Sequence, residues 1–124
     1  LLLHAGMVTA IPTFLQTACI TALETDTTPM AEVYAKRREY VCSRLKDMGL
    51  TFPEPKGAFY VFPDITKFGM DSGEFCTRLI KEAKVATVPG SCFGAEGHIR
   101  ISYCCGDEAL KTGMDRLEAF LQTL

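Results

Sequence analysis

Several signals that fix a protein's class at a glance are missing from this sequence. It contains no Cys-x-x-Cys pair, and its only histidines, His4 and His98, are far apart in the chain. The ligand spacing of a zinc site is therefore absent. No apolar run approaches the roughly 20 residues that a membrane-spanning helix needs. The opening "LLLHAG" is apolar, but it has neither the charged n-region nor the long h-region of a secretory signal. It also lacks an initiator methionine, so the chain is expected to start part-way through a longer protein. There is no excess of one charge: the formal net charge is −2. No global field favours nucleic acid or an anionic membrane, and neither is expected as a partner. Internal repeats, low-complexity tracts and long linkers are absent as well.

What is present is one domain's worth of chain. The 124 residues are 48% apolar, enough for a single core. Six cysteines stand at positions 19, 42, 76, 92, 104 and 105. The even count invites a disulfide framework. The absence of secretory context and the adjacency of Cys104 and Cys105, which point to opposite faces of a strand, argue against it. Reduced thiols, several of them buried, in a cytoplasmic protein are expected. The one basic cluster, Lys36, Arg37 and Arg38, lies in a helical pattern beside Glu32 and Glu39 and reads as a solvated face.

The apolar pattern alternates between helical and extended. Pro12 precedes a helix over "TFLQTACITALET", with Phe14, Leu15, Ala18 and Ala22 at helical spacing. A second helix is expected from "DTTPM" to about Met48, capped by Thr28, with Pro29 at its first position and Gly49 at its stop. Its apolar stripe is Met30, Val33, Tyr34, Val41, Leu45 and Met48. Prolines 53, 55 and 63 bracket a short aromatic strand, Ala58 to Phe62. Adjacent residues on it, Phe59 and Tyr60, should face opposite sides, one of them packing in the core. Asp71 and Glu74 form a capping box for a helix through "GEFCTRLIKEAK", with Phe75, Leu79 and Ala83 on one side. "VATV" is a short strand ending at Pro89. After a glycine loop comes the strand Ile99 to Tyr103, then a helix capped by Asp107 with Leu110, Met114, Leu117 and Leu121 facing the core. The expected fold is α/β of an α+β-like kind: a short, partly antiparallel sheet covered by helices and preceded by connecting helices.

Two fragments imitate the serine acyl-transfer signature: "SRLK" at Ser43 to Lys46, and "KTG" at Lys111 to Gly113. The second lies in an amphipathic helix and the Ser-Asp-Asn element is missing, so both read as coincidence. "PGSCFGAEG" offers glycine amides but leads into a strand rather than a helix, unlike a Walker loop. Its glycines read as positions of positive φ or close backbone approach.

The stretch "EGHIRISYC" poses a sharper question. Ile99, Ile101 and Tyr103 share one strand face, so Arg100, Ser102 and Cys104 share the other. Arg100 is either an ordinary solvated arginine on an edge strand or an anion site. The order of motifs bears on this. Pro-x-Gly-Ala-Phe-Tyr-x-Phe (Pro55 to Phe62), a capped helix, "KVATVPGSCFG" (Lys84 to Gly94), "IRISY" (Ile99 to Tyr103) and a closing helix follow in turn. Together with "FLQTACITAL" and "YAKRREYV" this series resembles the C-terminal portion of class I/II pyridoxal-phosphate aminotransferases of fold type I, the aspartate aminotransferase-like enzymes.

The resemblance implies that Arg100 grips the substrate α-carboxylate and that Phe59 borders the substrate side chain. It implies an amino group moved from an α-amino acid to a 2-oxo acid, pyridoxal 5'-phosphate as cofactor, a homodimer, and a domain that closes over the site to exclude water. Residues 1–124 would be the small domain, with 1–28 a connecting segment to a preceding large domain. The family's Schiff-base lysine and phosphate cup belong to that large domain. No lysine here stands in the matching context, so this chain supplies no catalytic lysine and no cofactor site, and alone it is expected to be inactive. An amino-acid-binding regulatory α+β domain, with Arg100 as a ligand clamp and no chemistry, is the alternative. A cyclase or β-lyase of the same fold type is another.

Overall fold

The computed structural model describes Gly6 and residues 11–124. His4 and most of the first ten residues lie outside the described part. The chain divides into two compact units, Leu1–Ala31 and Glu32–Leu124.

In the first unit, α1 (Thr13–Glu24) follows Pro12, as the sequence predicts. Its apolar residues bury nothing: Phe14, Leu15 and Ile20 are all exposed. Helix formation here follows local spacing, while the burial that usually accompanies such spacing is not supplied. Helix α2 (Thr28–Asp47) begins at the proposed cap itself, one residue before Pro29. Thr28 is already helical, and the Asp26 carboxylate takes its N–H at 2.9 Å. The Thr28 side chain first, and this amide at the helix start second, pull the Asp26 pKa below its ordinary value.

In the second unit, only the C-terminal half of the expected α2 stripe is core. Val41 and Leu45 are fully buried, whereas Val33 is exposed. Gly49, at φ 68°, ends the helix. Leu50 N–H reaches Leu45 O at 3.0 Å and Gly49 N–H reaches Lys46 O at 2.9 Å, which is a Schellman stop closed by the buried Leu45 and Leu50.

The strands are shorter than expected. β1 is Tyr60–Val61, β2 is Val88–Pro89 and β3 is Ile99–Ser102. They form one sheet in the order β1-β3-β2, antiparallel on both sides of β3. β2 starts later than "VATV" suggests and includes Pro89, which an edge strand tolerates because the missing N–H faces no partner. Helix α3 (Ser72–Arg78) is capped by Asp71, whose carboxylate takes Glu74 N–H at 2.7 Å. It runs on through a π-helical turn, Leu79–Ala83, to Lys84 at φ 59°.

Helix α4 (Asp107–Leu121) is capped by Gly106, not Asp107. Asp107 lies within the first turn, where its charge suits the helix dipole, and it pairs with Arg37 at 2.7 Å. Arg37 and Arg38 are therefore not a merely solvated face, since Arg38 also donates to Pro55 O at 3.3 Å. Leu110, Met114, Leu117 and the unanticipated Phe120 are buried, and Leu121 is half-buried. The core gathers Val41, Leu45, Val61, Ile65, Phe75, Leu79, Ile99, Ile101 and Tyr103 with this face of α4. All six cysteines are free; only Cys76 is buried, so the expectation of several buried thiols is corrected. No helix among the described residues is long and apolar enough to cross a membrane.

Candidate functional site

The site is built on β3. Ile99, Ile101 and Tyr103 are buried, and their alternation puts Arg100 on the opposite face, half-buried. β3 is the middle strand, so Arg100 does not lie on an edge. It pairs in register with Val88 of β2. Tyr103 anchors the strand end: its N–H reaches Phe59 O at 3.0 Å, and its hydroxyl donates to Ala58 O. Burial pushes the Tyr103 phenol up, which keeps it a proton donor.

The Arg100 guanidinium carbon stands over two rings, 4.3 Å from the Tyr60 centroid and 4.5 Å from that of Phe93. Tyr60 comes from β1 and Phe93 from the loop after β2, the two flanks of β3. Among the described residues, Arg37, Arg44 and Arg78 are paired with carboxylates, whereas Arg38, Arg100 and Arg116 have no such partner. A guanidinium packed against aromatic rings, with its N–H groups not engaged by a carboxylate, can take one through two parallel hydrogen bonds.

Phe59 does not take the side opposite Tyr60. It precedes β1, where alternation does not yet apply, and its ring lies 4.3 Å from that of Tyr60 and 6.2 Å from that of Tyr34. Neither ring enters the core; Val61 does. Phe59 is thus an exposed wall next to the Tyr60–Arg100 pair. Phe62 extends the aromatic surface, stacked on His98 at 5.3 Å and edge-on to Phe93 at 6.1 Å.

The glycine loop earns its glycines by close approach and by positive φ. A Cβ on Gly90 would run into Ala95 O and stand 2.6 Å from His98 O. Gly94 and Gly97 have φ of 70° and 77°. The loop is latched to α3. Glu96 accepts Ser72 N–H at 2.6 Å, Ser72 Oγ–H at 3.1 Å and Gly97 N–H at 2.9 Å. Buried Ser72 Oγ in turn accepts Ser91 N–H at 3.2 Å. The Gly97 and Ser72 amides hold the Glu96 carboxyl below its ordinary range.

Sequence patterning brought out Arg100 and the loop, and the resemblance named Phe59. Patterning missed Tyr60 and Phe93 as neighbours of the guanidinium, and Glu96 as the latch. Strand pairing brings Tyr60 beside Arg100, and the fastening of the loop to α3 brings in Phe93 and Glu96; neither is written in any single segment.

Pyridoxal phosphate, the cofactor expected from the resemblance, calls for a desolvated lysine and an anion cradle. Every lysine of the chain is exposed. The loop amides are engaged internally: besides Ser91 and Gly97, Gly94 N–H reaches Ser91 O at 3.1 Å and Ala95 N–H reaches Gly90 O at 3.0 Å. The described residues do not by themselves fit the cofactor. A cleft of about 420 Å³ between α2 and α4, lined by Val33, Lys36, Arg37, Tyr40, Leu110 and Lys111, does not include Arg100. "SRLK" and "KTG" both fall inside helices, α2 and α4.

Comparison with known proteins gives the family. The family model described as aminotransferase class I and II matches residues 2–117. The chain is 49% identical over 94 residues to a probable N-acetyl-LL-diaminopimelate aminotransferase of Bacillus subtilis, covering 74% of this chain and 24% of that protein. It is 46% identical to aromatic-amino-acid aminotransferase 2 of Thermococcus litoralis, covering 89% and 30%. The crystal structure of an aspartate aminotransferase from Thermotoga maritima superposes with a TM-score of 0.85 at 42% identity, over 91% of this chain and 29% of that one. The chain thus spans less than a third of the length of these relatives. The chain belongs to the aminotransferase class I and II family.

Proposed function

We propose that this chain serves as the small domain of a pyridoxal-phosphate-dependent aminotransferase and supplies the group that anchors the substrate α-carboxylate, Arg100. The observation that carries the reading is the state of Arg100: its guanidinium packed against the Tyr60 and Phe93 rings, and no carboxylate partner among the described residues. In a chain of this family, an arginine so placed suits a ligand that brings its own carboxylate. Paired N–H donors fix the carboxylate plane as well as its position, and with it the direction of the bonds at Cα. Phe59, exposed beside Tyr60, is the wall that the substrate side chain meets.

The cofactor, when bound in the full-length enzyme, supplies the electron sink for amino-group transfer. It would be held by residues outside this chain, since the residues here do not fit it. The full-length enzyme is taken to be a homodimer that accepts an α-amino acid and a 2-oxo acid; family membership supports both. The regulatory alternative, amino-acid binding without chemistry, is disfavoured because the relatives named above are aminotransferases.

The test is Arg100→Lys in the full-length enzyme that carries this chain. Breaking a charge-assisted pair of this kind costs about 2–5 kcal/mol. That corresponds to roughly 30-fold to several-thousand-fold in kcat/KM. The loss is expected for every α-amino acid, with folding and cofactor binding intact. Wild-type values in the variant would make Arg100 an ordinary surface arginine.

A further inference from the structure

Arg100 owes its orientation to something, and no hydrogen bond from its guanidinium to another described residue accounts for it. A free arginine side chain carries about 2 kcal/mol of rotamer entropy and would present its fork in many directions. Two rings limit that freedom here. Tyr60 is fixed by the β1–β3 pairing, where it stands opposite Ser102. Phe93 is not on a strand. It ends the short 3₁₀ turn Gly90–Phe93, just before Gly94, and is 48% exposed. Its position over Arg100 therefore depends on what holds the loop.

Three contacts do so. Gly90 is pinned to the base of β3, its N–H reaching His98 O at 2.8 Å. Ser91 is tied through Ser72 Oγ to the first turn of α3. Glu96 closes the far end of the loop on the same Ser72, through both its N–H and its hydroxyl. The loop that carries Phe93 is thus fastened at both ends, to β3 and to α3. The edge-on contact with Phe62 steadies the ring from the β1 side.

We propose that Phe93 is a positioning residue for Arg100: with Tyr60 it holds the guanidinium plane so that its N–H edge faces a carboxylate, and Glu96, through Ser72, holds Phe93 in place. The inference rests on the carboxylate-anchor reading of Arg100. It adds which residues set the anchor's orientation and through what latch. Cation–π contacts of this kind are worth a factor of about 2 to 30 in binding, depending on desolvation.

The experiment uses the full-length enzyme with an α-amino acid that it turns over. Phe93→Leu keeps an apolar side chain at a half-exposed position, removes the ring, and leaves no buried cavity. The expected result is a rise in KM of about 3- to 30-fold with kcat and cofactor binding nearly unchanged, because a mobile fork binds the carboxylate less often in the right plane. Phe93→Tyr should restore KM to within about 2-fold. In an Arg100→Lys background, Phe93→Leu should add less than about 2-fold, since the ring then has no fork to hold. Glu96→Gln should raise KM in the same direction as Phe93→Leu, and by less.

Equal losses in kcat and cofactor binding, failure of Phe93→Tyr to rescue, or full additivity with Arg100→Lys would each overturn the positioning role. If Phe93→Leu does not fold, the Glu96→Gln and Phe93→Tyr results decide: an unchanged KM in Glu96→Gln overturns the latch. Arg100→Lys separates the two levels of the claim. If it raises KM while Phe93→Leu does not, only the positioning fails; if it has no effect, the anchor reading falls and the positioning with it.

Discussion

The Glu96 carboxylate grips Ser72 twice, taking its N–H at 2.6 Å and its hydroxyl at 3.1 Å. These contacts join the loop before β3 to the start of α3, two segments that are 24 residues apart. They also favour the ionised form, so the folded-state pKa of Glu96 lies below its unfolded value. A depressed carboxyl contributes stability above the unfolded pKa and loses it as pH falls through the folded one. The Ser72 and Gly97 amide resonances should therefore titrate with Glu96, below the ordinary glutamate range, and Glu96→Gln should abolish that step. Titration of Glu96 at the ordinary value would show that the latch is not closed in solution.

Gly90 has no room for a side chain. Its Cβ would collide with the Ala95 carbonyl and crowd that of His98, both backbone groups that cannot turn aside. Overpacking of this kind costs about 1–3 kcal/mol, and backbone obstacles place Gly90→Ala at or above the upper end. Denaturant unfolding should show that loss, and amide exchange should localise it to the Gly90–Ile99 segment. Gly94→Ala should cost less: its φ of 70° is unfavourable, but open space surrounds it.

Arg44 links α2 to α4. Its guanidinium donates to Asp115 at 2.7 Å, to Glu118 at 2.9 Å and to the Tyr40 hydroxyl at 2.7 Å. Asp115 above all pushes its pKa further up. The side chain is only 20% exposed, but both acids are open to water, so screening reduces the effect. Arg44→Met should destabilise by about 1–2 kcal/mol and should lose most of its salt dependence. A change under 0.3 kcal/mol would mean that the network contributes nothing net, as for many exposed ion pairs.

Much of the fold was legible because it is local. Pro12, Gly49 and the Asp71–Glu74 spacing mark helix ends through backbone chemistry that needs no tertiary partner. Period-2 alternation sorted Ile99, Ile101 and Tyr103 from Arg100 correctly. What failed was non-local. The stripes of α1 and of the first half of α2 look like core stripes, yet Phe14, Met30 and Val33 are exposed, because spacing records a helical face and not what covers it. Asp107 resembles a cap, but Gly106 already occupies that place and Arg37 claims the carboxylate. The same limit hid the site's second half. Arg100 stands out as a charge within an apolar strand, whereas Tyr60 and Phe93 become its neighbours only once β1 and β2 pair on either side of β3.

The exposed lysines and the internally bonded loop amides lead to a prediction about the isolated chain. Mixed with pyridoxal phosphate, it should show no saturable, one-to-one absorbance change. A stoichiometric signal abolished by replacing one particular lysine would contradict the division of the site proposed above.

The central claim is that Arg100 reads a carboxylate. The most direct measurement varies the enzyme residue and the substrate group together. For the amino acid that the full-length enzyme uses best, kcat/KM is measured for the acid and for its α-carboxamide, in the wild type and in Arg100→Lys. The side chain and Cα are the same in both substrates, and only the charge and the paired acceptors differ. Arg100→Lys should cut the acid by roughly 30-fold or more and change the carboxamide by less than about 3-fold, so that the preference for the acid collapses. Equal losses for both substrates, or no loss for either, would contradict the claim.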